Sequence, residues 1–368
     1  MSPGVRASPD DSSRARAGAR ALIERHQRLI LSLWTLLLLC LLAGVAEAVL
    51  RHTIPYRLDY YTGTFVSKRL IRFPFGDMPF NAHGYPDRDW ADDDPRPRVG
   101  FWGDSITSGV GAGFGYRYTD IISSSRPDRD YRNFGGVGED GIADAAAADK
   151  VIEAARRYRL QKVVYAMDLN DLLPDRGVRT EGHSALYRVK RALAPYVDLL
   201  RTRSYLYNYV RTKVTTAAAR LGYGYHGDES YELHPVRNAA VIAQTVDRIN
   251  ALAARLESDG IQLCVAVFPF EMQVSADAAG RYRQYGIYWS DELLRGEPQK
   301  MILAALSKTV TGVDLAPAFR HGPLDPDSIK VGEYFVFNRG DALDWIHPNR
   351  SGHRLIAQYL LTQAPSCL

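Results

Sequence analysis

Three stretches of the chain carry side chains whose types and spacing suit acyl transfer. Ser105 lies in Gly103-Asp104-Ser105-Ile106-Thr107-Ser108-Gly109, directly after the apolar run Arg98 to Trp102. A serine hydroxyl is a weak nucleophile until a neighbouring base takes its proton, and that base needs a third group to fix its tautomer and aim. Asp344-Trp345-Ile346-His347-Pro348-Asn349, near the end of the chain, offers both. Three residues apart on one turn, the Asp344 carboxylate holds one imidazole nitrogen of His347 while the other faces the serine. The tetrahedral intermediate then needs donors aimed at its oxyanion. Gly138 in Asn133-Phe134-Gly135-Gly136-Val137-Gly138 offers a close backbone N–H, Asn170 in Leu169-Asn170-Asp171 offers a side-chain amide, and the Ser105 N–H makes a third donor.

A parallel sheet is the element that positions such residues, because open α/β sheets collect ligands at the carboxyl ends of their strands. Arg98 to Trp102, Lys162 to Met167 and Ile261 to Phe268 are short apolar runs suited to strands buried on both faces. Between them Gly141 to Arg159, rich in Ala, reads as a helix. So does Arg237 to Ser258, where Val241, Thr245, Ile249, Leu252 and Leu256 recur at helical spacing before Gly260. Strands alternating with helices predict a three-layer α/β/α sandwich around a mostly parallel sheet of about five strands. Leu172 to Pro235 breaks the alternation: Tyr196, Tyr205, Tyr207 and Tyr209 stand there among many arginines. It reads as a helical insertion, either packed on the sheet edge with a solvated basic face, or serving as a cap over the site or a surface on lipid headgroups, since Tyr suits a half-wet interface.

The first part of the chain points to a membrane. Arg6, Arg14, Arg16, Arg20, Arg25 and Arg28 outnumber Asp10, Asp11 and Glu24, and Leu29 to Ala46 is uncharged and of spanning length. The basic flank stays cytoplasmic and the rest lies outside, in the periplasm of a Gram-negative cell. The expected organisation is a basic tail over 1–28, a transmembrane signal-anchor over 29–50, an irregular lead-in over 51–97, and a catalytic domain over 98–368 with the insertion at about 172–236. Ala46-Glu47-Ala48 offers the alternative of cleavage and release as a secreted form. With 46% hydrophobic and 24% charged residues the chain is neither disordered nor a multi-span protein, and a net charge of +4, partly in the tail, calls for no nucleic-acid partner. Cys40 follows Leu38-Leu39, without the small residue of a lipoprotein signal; only Cys264 and Cys367 remain outside the apolar segment, so no disulfide framework underlies the fold.

Taken together, these stretches resemble the SGNH/GDSL hydrolases, whose four ordered blocks supply Ser, Gly, Asn and His. Gly103-Asp104-Ser105-Ile106 resembles the first block, Asn133 to Gly138 the second, Leu169-Asn170-Asp171 the third and Asp344 to His353 the last. The resemblance spans about Asn81 to Leu360, including a lead-in Asn81-Ala82-His83-Gly84-Tyr85 similar to one in many bacterial members. It implies Ser105 as nucleophile, His347 as base, Asp344 as its orienting group, Gly138 and Asn170 in the oxyanion hole, and neither metal nor cofactor. The sequence departs from the family at Asp168, where Gly is usual; an acid there crowds the substrate or makes His347 a stronger base, and Asp104 is the other residue expected to shape the substrate space.

Two other patterns fit less well. Gly136 to Gly141 is a literal G-x-G-x-x-G, yet Asp168 lies 27 residues after Gly141, where a dinucleotide fingerprint wants its acid roughly 20 on. The six-residue spacing of His347 and His353 matches no common zinc pattern. The expected reaction is hydrolysis of an ester, an O-acetyl group on a cell-envelope glycan or lipid or a small ester. The alternatives are a polysaccharide O-acetyltransferase working from the same serine beside a multi-span membrane acyltransferase, and a non-catalytic glycan-binding or scaffold protein.

Overall fold

The computed structural model describes residues 9–54, 56–58, 65–67, 80–136, 142, 145–172, 193–221 apart from 194, 195, 198 and 202, 233–283, 287–320, 333–336 and 345–368. The chain divides into two units, Met1–Ile54 and Pro55–Leu368. The first is one helix, α1 (Pro9–Thr53). Within it His26–Thr53, 28 residues of mean hydropathy 2.6, is long and apolar enough to cross a membrane, and none of its apolar stretch is buried. The consecutive residues Leu36 to Leu39 are all at least 55% exposed, so the apolar surface runs round the whole circumference. A soluble helix carries one apolar stripe instead.

The second unit is built on five parallel strands: β3 (Arg98–Gly103), β4 (Asp130–Gly135), β5 (Lys162–Met167), β6 (Gln262–Val267) and β7 (Thr311–Asp314), in the order β4-β3-β5-β6-β7. A separate antiparallel pair, β1 (Tyr56–Leu58) and β2 (Phe65–Ser67), precedes them. The alternation of side chains along each strand separates two apolar layers. Trp102, Val163, Tyr165, Met167, Leu263, Val265 and Val267 face one layer, where α4 (Ala145–Arg157) and α6 (Ala239–Ser258) pack. Val99, Phe101, Val164, Ala166 and Ala266 face the other, with Tyr118 and Ile122 of α3 (Tyr118–Ser125) and Leu355, Ile356 and Leu360 of α9 (Arg350–Gln363). The remaining labelled helices are α2 (Ser105–Ser108), α5 (Tyr205–Arg220), α7 (Glu297–Ala305) and α8 (Ala316–Arg320). This is the three-layer α/β/α class expected from the alternation.

Boundaries shift where turn chemistry decides them. α6 ends before Gly260, which takes φ +74°, as its sequence signal predicts. Its buried face runs through Ile242, Thr245, Val246, Ile249, Leu252 and Leu256, leaving Val241 at the margin. β7 has no counterpart in the sequence reading: Thr-Gly-Val-Asp is an edge strand with only Val313 buried, too short and too polar to register as an apolar run. Within the stretch read as an insertion the described residues include the helix α5, and residues 173–192 and 222–232 lie outside the described residues.

Cys264 on β6 and Cys367 at the chain terminus form a disulfide with Cα atoms 5.5 Å apart. Neither the spacing nor the surroundings of the two cysteines announce this bridge in the sequence. Closing a loop of 103 residues removes roughly 4–5 kcal/mol of denatured-state freedom in the chain-entropy model. In a denatured, unreduced sample one thiol, that of Cys40, is expected to titrate; after reduction all three cysteines titrate. Three thiols without reductant would show that the bridge does not form.

Candidate active site

The chain leaves β3 for β4 on one side of the sheet and then crosses to β5 on the other, so the carboxyl end of β3 is the switch point at which open α/β sheets form a crevice. The strand ends at Gly103, Asp104 follows it, and Ser105 opens the one-turn helix α2. Asp104 caps the turn: its Oδ1 accepts the Ile106 N–H at 3.0 Å. The Ser105 carbonyl accepts the Gly109 N–H at 3.1 Å, the Val110 N–H at 2.9 Å and the Ser108 hydroxyl at 2.9 Å. A backbone held this tightly leaves the Ser105 side chain little freedom except to project from the turn.

Two glycines make room for that turn. A Cβ on Gly135 would stand 2.3 Å from the Ser108 backbone nitrogen, and one on Gly103 2.3 Å from Thr107 Oγ1. Asn133 ties the same parts together. Its Nδ2 donates to the Thr107 carbonyl at 2.7 Å and to Thr119 Oγ1 at 3.0 Å, while its Oδ1 accepts the Gly135 N–H at 2.8 Å.

His347 arrives from the other end of the sequence on a segment fixed by backbone bonds. Its carbonyl accepts the Val336 N–H at 2.8 Å, Pro348 bridges to Phe335, and the Asn349 N–H donates to the Tyr334 carbonyl at 2.8 Å. Asn349 is fully buried. Its Oδ1 caps α9 by accepting the Ser351 and Gly352 N–H groups, and its Nδ2 donates to the Glu333 and Phe335 carbonyls. The first turn of α9 then docks on the loop after the nucleophile: Arg350 Nε donates to the Ala112 carbonyl at 2.9 Å, its guanidinium lies 3.5 Å from the Tyr116 ring centre, and His353 Nδ1 accepts the Tyr118 N–H at 3.1 Å.

Ser105 Oγ and His347 Nε2 stand 2.8 Å apart, hydrogen-bonding distance between residues 242 positions apart in sequence. Ser105, Asn170 and His347 are half-buried, whereas Asp104 and Asp168 are buried. Asn170 sits on the single turn Leu169–Asp171 at the end of β5, its side-chain amide near enough to the Asp104 carboxylate to lower that acid's pKa. Burial raises the Asp104 pKa, opposed by the Ile106 N–H, the charge of His347, the Asn170 amide and the Ser105 hydroxyl, which lies 3.4 Å from Oδ2. Asp168 turns inward, its Oδ1 accepting the Asn170 N–H at 3.4 Å as a cap for that turn. The next acid, Asp171, accepts the Tyr165 hydroxyl at 2.7 Å; burial and the Asp171 charge push the tyrosine pKa up, so it remains a donor. Asp344, Gly138 and most of the Gly136 to Gly141 pattern lie outside the described residues.

Asn133, Asn349, Arg350 and His353 hold the site together without a local sequence signal for that role. Asn349 and Arg350 follow His347 directly in the last motif, but nothing local says what they bind. His353 is fully buried, and burial lowers its pKa to about 3, opposed by the nearby Val110 carbonyl and reinforced by the Arg117 and His347 charges.

The fold and the Ser–His pair together define a doubly wound α/β protein with a serine–histidine dyad at its switch point. No family model and no curated protein matches the chain. Among solved structures it is similar to a G-D-S-L family lipolytic protein from Veillonella parvula, at 16% identity and a TM-score of 0.36, covering 74% of this chain and 99% of that one. It is also similar to an acetylxylan esterase from Geobacillus stearothermophilus (14%, TM-score 0.38, 72% and 92%). A third is a carbohydrate acetylesterase from Sinorhizobium meliloti (11%, 0.38, 74% and 100%). At these values the fold rests on the strand order itself, and the chemistry on the side chains around Ser105.

Gly135→Ala sets a Cβ against backbone that has no other place to go. It is expected to leave a folded protein by circular dichroism in which any turnover at Ser105 falls about 10²-fold, the scale of a displacement near 1 Å; parent-like turnover would show that the wedge is not needed. His353 sets an acid limit. Its folded pKa lies below the unfolded value, so the unfolded chain takes up a proton that the folded one refuses. The stability it secures is complete above about pH 6.5 and is lost as pH falls toward about 3. In urea unfolding between pH 7 and 4, His353→Gln should flatten the dependence by up to about one proton; an unchanged slope would exclude His353 as its source.

Proposed function

We propose that the chain is an exported serine esterase that hydrolyses an ester, most simply an O-acetyl group, on a cell-envelope glycan or lipid. The observation that carries the reading is the 2.8 Å contact between Ser105 Oγ and His347 Nε2 at the switch point. In this mechanism His347, oriented by Asp344, takes the Ser105 proton as Oγ attacks the ester carbonyl. The Ser105 and Gly138 N–H groups and the Asn170 amide hold the oxyanion. Collapse breaks the bond to the alcohol, which leaves with the proton from His347. Water, deprotonated by His347, then attacks the acyl-serine; the acid departs and the hydroxyl of Ser105 is restored. Asp104 and Asp168 act here by holding the serine turn and the Asn170 turn, rather than by contact with substrate.

Export is supported by α1, whose uncovered apolar surface suits lipid, by the arginines on its N-terminal flank, and by the Cys264–Cys367 bridge, since disulfides persist in oxidising compartments. The same membrane-length helix favours a second reading, in which the acyl-serine passes its acetyl group to a sugar hydroxyl instead of water, beside a multi-span acyltransferase.

Ser105→Ala is expected to abolish turnover of a small acetyl ester with folding intact, and Asn170→Ala to slow it by on the order of 10²–10³. Unchanged activity in Ser105→Ala would refute the nucleophile. Acetate released from acetylated envelope polysaccharide, set against acetyl transferred to the unacetylated polymer, separates hydrolysis from transfer.

A further inference from the structure

A cavity of about 520 Å³ lies where β3 and β4 end, between the lead-in turn at Asn81 to Tyr85 and helix α4. Nothing in the Ser105 mechanism uses it. The lead-in turn is built to present side chains: Asn81 Oδ1 accepts the His83 and Tyr85 N–H groups, both at 3.0 Å, and Gly84 takes φ +82° between them. His83 and Tyr85 are left half-buried on the cavity wall, with the exposed Phe80 beside them. Trp102, Phe134 and Tyr158 form the inner wall, and Gly135 and Gly136 line its end. Trp102 comes three residues before Ser105, and the Gly136 N–H bonds the Gly103 carbonyl at 2.9 Å, so the cavity borders the carboxyl end of β3.

The opposite wall is one face of α4, where Lys150, Glu153, Ala154 and Arg157 follow at helical spacing. Ala154 is buried and the three charged residues are exposed at the rim. No ion pair among the described residues engages Lys150 or Arg157. Two cations against one carboxylate favour an anionic ligand. The volume is in the range of ligand pockets and larger than one sugar ring needs. The half-buried His83 and Tyr85 and the exposed Phe80 offer ring surface that suits the C–H groups of a pyranose, over a floor of packed aromatic core, whereas the charged rim makes a poor seat for an acyl chain.

We infer that this cavity is a binding subsite for an acidic pyranose unit of a glycan whose ester is presented to Ser105. The inference rests on the esterase reading for its link to Ser105, while binding itself is tested without any reaction. The probe is an ester-free trimer of galacturonic acid, titrated calorimetrically into the full chain in detergent, with neutral xylotriose as comparison. The trimer is expected to bind, xylotriose at least about tenfold more weakly, and the double variant Lys150→Ala/Arg157→Ala to bind the trimer at least about tenfold more weakly than the parent, the scale of lost charge-assisted bonds. Ala154→Leu, which fills the cavity from the helix, should remove binding. Turnover of a small acetyl ester by Lys150→Ala/Arg157→Ala should match the parent. No trimer binding by the parent, equal binding of xylotriose, or parent-like binding by the double variant or by a folded Ala154→Leu would overturn the subsite. Trimer binding with this pattern in a protein that hydrolyses no acetyl ester would keep the subsite and sink the esterase reading.

Discussion

Everything at the site depends on how the last helix docks against the loop that follows the nucleophile. Ser105 and His347 belong to segments with no local reason to meet, and three contacts make them neighbours: Arg350 on the Ala112 carbonyl and the Tyr116 ring, His353 on the Tyr118 amide, and the close approach of Gly111 to the Pro348 carbonyl. Gly111 has φ +88°, and a Cβ there would stand 2.4 Å from that carbonyl. The dyad distance is therefore a tertiary quantity, set by polar contacts buried beneath it. Buried polar groups specify a geometry because leaving any of them unpaired costs about 1–3 kcal/mol.

The same logic runs beneath the nucleophile turn. Arg117 is wholly buried, yet its guanidinium bonds Asp120 Oδ1 at 2.6 Å, Asp87 Oδ1 at 3.4 Å and the Pro86 carbonyl. Asp87 also accepts from the Trp90 indole and the Asn133 backbone. Burial raises the Asp87 pKa, against these donors and the Arg117 charge. Such a cluster contributes little net stability compared with an apolar core of equal volume. Its effect is positional: it joins the lead-in, β4 and α3 around the turn that carries Ser105, and it holds the wall from which His83 and Tyr85 reach the aromatic cavity.

The two units show opposite uses of apolar surface. In the α/β unit, period-two alternation sends apolar side chains into two layers and leaves the strand ends for chemistry. In the spanning stretch of α1 the apolar residues cover every side and lie exposed. Water accounts for the first pattern and lipid suits the second.

Local pattern was enough to read the apolar, membrane-length part of α1, the strands β3, β5 and β6, α6 with its glycine stop, and the residue types at Ser105, Asn170 and His347. Those features depend on neighbours within a few positions, through periodicity, caps and turn chemistry. The polar edge strand β7, the Cys264–Cys367 bridge and the positioning work of Asn133, Asn349, Arg350 and His353 left no mark in the one-dimensional pattern. Each is defined by a partner between 14 and 238 positions away or by packing against another element. The sequence alone settled which groups are available for chemistry; only the folded chain decided which of them meet, because hydrogen bonds and excluded volume act between atoms close in space, however far apart they lie along the backbone.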